Sequence, residues 1–164
     1  MVVSYVGPCA FIEEYSMLVI GDLHIGTDQD LSETGAFAPD ISISNITKTL
    51  TAVIRKTKPD IIVVLGDIAI HFGKMPDRQR QNITTIIHRL KNSCKKLVLL
   101  KGNHDAYIAQ YFKDTKTPFA EQYIYNEYFF CHGHEIPEIP DSCTTIFIGH
   151  EHPAISMTNS IRTE

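Results

Sequence analysis

Short apolar runs recur along the chain, and the strongest of them end in a glycine beside Asp, Asn or His. Met17-Leu18-Val19-Ile20 is continuously apolar and is bounded by Gly21. Its length and composition predict a strand buried on both faces. Asp60-Ile61-Ile62-Val63-Val64-Leu65 predicts a second buried strand, ending in Gly66-Asp67, and Lys96 to Leu100 a third, followed by Gly102-Asn103-His104-Asp105. Between them the period changes. Ile43, Ile46, Leu50, Val53 and Ile54 recur at helical spacing, with Ser42 or Ser44 placed to cap the start and Pro59 to mark the end. Ile83, Ile86, Ile87 and Leu90 give a second amphipathic helix, opened by Asp77 as N-cap.

Outside this alternation the pieces are shorter. Residues 2–6 and 9–12 flank Gly7-Pro8 and predict a hairpin or an edge strand. Ala106 to Phe112 offers one or two helical turns. Glu121 to Tyr125 and Tyr128 to Cys131 predict two strands joined at Asn126-Glu127, Thr144 to Ile148 a last apolar strand, and Pro153 to Met157 the start of one more. Polar stretches at 25–40, 68–76, 113–118 and 135–143 are loops. The order predicts an α/β arrangement over the first two-thirds and a hairpin-rich β portion afterwards.

Composition narrows this little. A length of 164 residues suits one domain, 1–164, with a sizeable core, and 43% hydrophobic against 21% charged residues is an ordinary globular balance. A net charge of -4 supplies no global field for nucleic acid. Cys9, Cys94, Cys131 and Cys143 have no C-x-x-C spacing and read as reduced thiols, the N-terminus lacks the pattern of a secretory signal, and a cytoplasmic location is expected. No apolar run is long enough for a membrane helix.

The histidines change the picture. Most of the eight fall in clusters that follow apolar runs: Gly21-Asp22-Leu23-His24, Gly102-Asn103-His104-Asp105, Cys131-His132-Gly133-His134 and Gly149-His150-Glu151-His152. Asp22 and His24, like His150 and His152, are separated by one residue, so on extended backbone each pair points to one side. With Asp67, Asn103 and His132 they offer four imidazoles, two carboxylates and an amide oxygen. This N/O set without thiolate suits manganese, iron, zinc or magnesium. Seven donors exceed one ion's ordinary coordination and suit two ions sharing a bridging carboxylate, a central Asp being the natural bridge. Such a pair clamps a phosphate and lowers the pKa of a shared water. His104 neighbours a ligand without needing to be one. It is the candidate general acid, with Asp105 placed to fix its tautomer.

The ordered series Asp22-x-His24, Gly66-Asp67, Gly102-Asn103-His104-Asp105, His132 and Gly149-His150-x-His152 resembles the calcineurin-like metallophosphoesterase family over residues 21 to 152. Gly-His-Glu-His-Pro and the short length are similar to its small archaeal and DNA-ligase-associated members. The resemblance implies two facing mixed β-sheets flanked by helices, a four-layer α/β/β/α sandwich. It implies that Asp22, His24, Asp67 and His152 hold one divalent ion and that Asp67, Asn103, His132 and His150 hold a second. Manganese is the first expectation, with iron, zinc, nickel or magnesium as others. It further implies attack on phosphorus by a metal-bridging hydroxide, with His104 as general acid oriented by Asp105. Family members usually continue with further strands after the Gly-His-x-His block, whereas twelve residues follow His152 here. Either the chain is a short member or its last strands are absent. A missing edge strand would favour association of copies.

Other residues have plainer readings. His71, four residues after Asp67, is a candidate contact for substrate phosphate. His134 shares the face of His132 but is not assigned as a ligand, and Glu151 is expected to point away from the ions. Arg78, Arg80 and Arg89 read as a solvated helix face, His88 as surface or packing, and Tyr107, Tyr111 and Phe112 as packing. The leading function is a dinuclear-metal phosphoesterase acting on phosphodiesters or phosphomonoesters, nucleotides or nucleic-acid ends included. The alternative is a non-catalytic scaffold that keeps this fold for protein–protein interaction.

Overall fold

The computed structural model describes residues 2–26, 41–69, 75–108, 119–135 and 137–153. The expected hairpin is present: β1 (Val3–Val6) pairs antiparallel with β2 (Cys9–Ile12) across Gly7-Pro8. Next to β2 lies β3 (Met17–Ile20), also antiparallel to it. Three strands then join in parallel: β4 (Ile61–Val64), β5 (Lys96–Leu100) and the short β6 (Phe119–Ala120). Sheet order follows chain order, β1-β2-β3-β4-β5-β6. The crossovers from β3 to β4 and from β4 to β5 contain α1 (Ile41–Thr57) and α2 (Asp77–Lys91).

A second sheet holds β7 (Gln122–Tyr125), β8 (Tyr128–Cys131) and β9 (Thr145–Ile148). The β7–β8 hairpin turns at Asn126, whose φ of 52° is one that Asn tolerates well. β9 departs from the hairpin expectation, because it runs parallel to β8. A parallel pair needs a crossover, and residues 132–144 supply it. The consequence is functional: the ends of β8 and β9, and the polar residues that follow them, arrive at one edge.

Two start signals are corrected. Ser42 and Ser44 lie inside α1, which already includes Ile41. The N-cap of α2 is Pro76, so Asp77 is the first helical residue, and its carboxylate accepts from Arg80 one turn on.

Alternation within the strands separates two apolar layers. Leu18, Ile20, Ile62, Val64 and Leu99 meet Leu50 and Val53 of α1 and Ile83, Ile86, Ile87 and Leu90 of α2. Met17, Val19, Val63, Val98 and Leu100 face the other way, onto Tyr128 and Phe130 of the second sheet. The described residues are thus layered as helices, mixed six-stranded sheet and three-stranded sheet, the two facing sheets that the resemblance implies and three of its four layers. Both described α-helices cover the first sheet. Among the described residues no helix is long and apolar enough to cross a membrane.

Candidate metal centre

Because β3, β4 and β5 are parallel, their carboxyl ends share an edge, the position where open α/β sheets collect ligands. Backbone pairing continues past the strands. Leu65 N–H bonds to Ile20 O, Leu23 and His24 N–H both bond to Asp67 O, and Ile25 pairs with Ala69. This stitching fixes Asp22, His24 and Asp67 relative to one another. From the second sheet, Gly149 N–H bonds to His132 O, and His150 N–H donates to Asp22 Oδ2 at 2.9 Å, tying the two sheets together at the site.

Two clusters of donors result. Asp22, His24 and His152 offer ligand atoms within 4.8 Å of one another, and so do Asp67, His132 and His150. Asn103 belongs with the second cluster: its Oδ1 lies 3.0 Å from His132 Nε2 and 3.1 Å from His150 Nδ1. Asp67 lies between the clusters. Its Oδ2 is 3.4 Å from His24 Nε2 on one side and 3.4 Å from His132 Nε2 on the other. The extended backbone expected for the paired residues is absent. His24, Asp67 and His150 have φ of 46°, 44° and 63°. Left-handed turns are uncommon outside glycine, although Asp and His adopt them more readily than most residues, and they concentrate at functional sites. At His150 the turn helps send its imidazole to the second cluster while His152 joins the first.

Three observations fit this donor set to cations. Asp22 Oδ1 is buried with no hydrogen-bond partner among the described residues. His132 is 1% exposed, and its Nδ1–H donates to Leu65 O at 3.0 Å. Burial holds its pKa below the usual histidine value, outweighing the upward pull of Asp67. A neutral His132 with Nδ1 protonated presents an Nε2 lone pair, which faces two further acceptors, Asn103 Oδ1 and Asp67 Oδ2. Converging acceptors of this kind repel unless a cation sits among them, and a carbonyl bond to the far imidazole nitrogen is a usual support for a metal-binding histidine. Third, two glycines leave space for carboxylates. A Cβ on Gly102 would collide with Asp67, and one on Gly149 with Asp22.

Asp105 has a different job from the one expected. Its Oδ2 accepts from Gly102 N–H and its Oδ1 from Ile68 N–H, both at 2.9 Å. Those bonds clamp the loops after β4 and β5 rather than the His104 imidazole. Burial raises its pKa to about 6. His104 donates its backbone N–H to Asp67 Oδ1 at 3.0 Å, and its Nε2 stands 4.0 Å from Asp67 Oδ2, beside both clusters and part of neither. His71 lies outside the described residues, as do most of the loops at 25–40 and 113–118. Glu151 is exposed and joins neither cluster. His134 belongs to neither cluster, as expected, but stands beside the second. Its ring stands 5.3 Å from that of His132 and 6.3 Å from that of His150, and its Nδ1 is buried without a partner among the described residues. The His-x-His spacing was the available signal.

Fold and donor set together define an α/β protein with a carboxylate–imidazole centre built for metal at the edge where its two sheets meet. A family model described as calcineurin-like phosphoesterase matches residues 15–158, and the chain belongs to that family. No curated protein matches. Among solved structures, the crystal structure of Pseudomonas putida nuclease MPE is similar in fold, with a TM-score of 0.62 at 18% identity, covering 89% of this chain. This chain spans 66% of the length of that one.

Proposed function

We propose that the chain hydrolyses phosphate esters using two divalent metal ions with Asp67 between them. The observation that carries this reading is the position of Asp67 Oδ2, 3.4 Å from an imidazole nitrogen of each cluster. Asp22, His24, Asp67 and His152 would hold one ion and Asp67, Asn103, His132 and His150 the other. Bound there, such ions lower the pKa of a water and take up charge on phosphoryl oxygens. Manganese is the proposed ion, and iron, zinc, nickel and magnesium also suit N/O donors.

The chain's own groups complete the chemistry. His104 is the proposed general acid. Its amide bond to Asp67 Oδ1 sets its distance from the pair, and its ring edge meets the ring of His24 at a centroid distance of 6.3 Å. Asp105 acts one step back, by clamping the loops that present Asp67 and His104. Asp22 and His152 also form one wall of a cavity of about 460 Å³, whose apolar lining includes Leu23, Ile46 and Leu50. It offers room for the organic group of an ester.

The test is release of p-nitrophenol from bis-p-nitrophenyl phosphate and p-nitrophenyl phosphate by metal-stripped protein with manganese restored. Metal-dependent turnover, lost in Asp67→Asn, is expected. Preference for the diester assigns a phosphodiesterase and preference for the monoester a phosphatase. No turnover with two ions bound per chain contradicts the reading and favours the scaffold. We also propose self-association through the second sheet, supported by exposed Ile124, Ile146 and Ile148. A monomer by sedimentation at micromolar protein contradicts that part.

A further inference from the structure

The metal centre makes no use of a strong charge asymmetry elsewhere in the chain. α1 and α2 hold seven of the fifteen Lys and Arg residues but one of the nineteen Asp and Glu residues. A chain of net charge -4 therefore carries a basic layer on one face. That charge is concentrated around a groove of about 720 Å³ between the helices. Lys48, Arg55, Lys56 and Arg89 line it, with Thr47 and Thr51 beside them and Ala52 as the one apolar residue. Arg89 Nη1 donates to Thr51 Oγ1 at 2.6 Å, which ties the helices together and fixes the guanidinium. The ion pairs of other cations lie outside the groove, at Arg80–Asp77, Lys95–Asp60 and Lys101–Glu121. Lys48, Arg55 and Lys56 are seven and eight residues apart, two turns along one helix face.

We propose that this groove binds the phosphate backbone of a polynucleotide. Four cations with interleaved hydroxyls match successive phosphates. The lining has no aromatic side chain on which a base could stack, so recognition is of the backbone and not of sequence. It also lacks the apolar and aromatic core that a protein partner would need, which disfavours an acidic protein.

The topology sets a length. α1 runs back from the carboxyl end of β3 toward the start of β4, so Arg55 and Lys56 lie at the edge away from the metal centre. A helix of 17 residues is about 25 Å long. A strand held in the groove and at the metal centre together therefore spans several nucleotides. That the bound strand is also the substrate rests on the phosphoesterase reading; that the groove binds it does not.

The test uses metal-free protein and a fluorescent single-stranded DNA of twenty nucleotides, followed by anisotropy across a salt series. In the triple variant Lys48→Gln, Arg55→Gln, Lys56→Gln, affinity is expected to fall at least tenfold. The slope of log affinity against log salt should drop by about 2, since each lost phosphate contact removes about 0.7 for single strands. Manganese-loaded variant and wild type should turn over bis-p-nitrophenyl phosphate equally. Equal binding of the twenty-mer by wild type and variant overturns the proposal. Tighter binding of polyglutamate than of DNA, lost in the same variant, also overturns it and assigns an acidic protein. Groove-dependent DNA binding without any diester turnover leaves the groove standing and removes the phosphoesterase reading alone.

Discussion

At Asp67 the backbone turns left-handed, one carboxylate oxygen accepts the His104 amide, and the other lies between two histidines of different clusters. Gly102 is what allows it to sit there. Gly102→Ala places a methyl group against the Asp67 carboxylate. It is expected to weaken manganese binding by roughly 10- to 100-fold, the range usual for disturbed metal-site support; calorimetric titration checks this. His104→Ala should cut turnover by roughly a hundred- to ten-thousand-fold while leaving manganese affinity near wild type, because the side chain is outside both donor clusters. Equal loss of binding and turnover would place His104 among the ligands instead. Asp105 gives a pH signature. Burial pushes its pKa up to about 6, above that of an ordinary Asp carboxyl, so the folded state holds the proton more tightly. The stability it contributes is full at low pH and is lost as pH rises from about 4 to 6. The stability difference between metal-free wild type and Asp105→Asn should therefore shift against wild type by about 2 kcal/mol between pH 4 and pH 7. Urea unfolding at the two pH values measures it. The residues that the fold brings together were legible from the sequence because each block follows an apolar run. Their directions were not, since left-handed turns at His24 and His150 break the alternation that extended backbone would give.

At the scale of elements, the second sheet is held by aromatic residues. Tyr128 and Phe130 of β8 are buried, and Phe147 of β9 stacks on Phe130 at 5.2 Å. Phe130→Ala should cost about 3–5 kcal/mol. Tyr128 is the contrasting case. Its hydroxyl is buried without a hydrogen-bond partner among the described residues. Tyr128→Phe removes an unsatisfied group and should raise stability by about 1 kcal/mol. Thermal unfolding of the two variants checks both signs, and a destabilised Tyr128→Phe would show that the hydroxyl is satisfied. The strands and both helices were readable from apolar periodicity. The parallel placement of β9 was not, because a four-residue strand carries no mark of its partner's direction. It is set by packing of Phe147 onto Tyr128 and Phe130 and by the crossover at 132–144.

For the whole molecule, two sheets meet at one edge, and we propose that the donor clusters there form a pair of metal sites sharing Asp67. The pairing of distant blocks, such as Asp22 with His150 and His152, is tertiary. The sequence suggested it only through the family's ordered motif. Electron paramagnetic resonance of the manganese-loaded protein tests the claim directly, because two ions bridged by one carboxylate couple magnetically. At saturation the spectrum should be that of a coupled pair at two ions per chain, and Asp67→Asn should abolish the coupling. A six-line signal from isolated manganese at saturation, unchanged in Asp67→Asn, would contradict it.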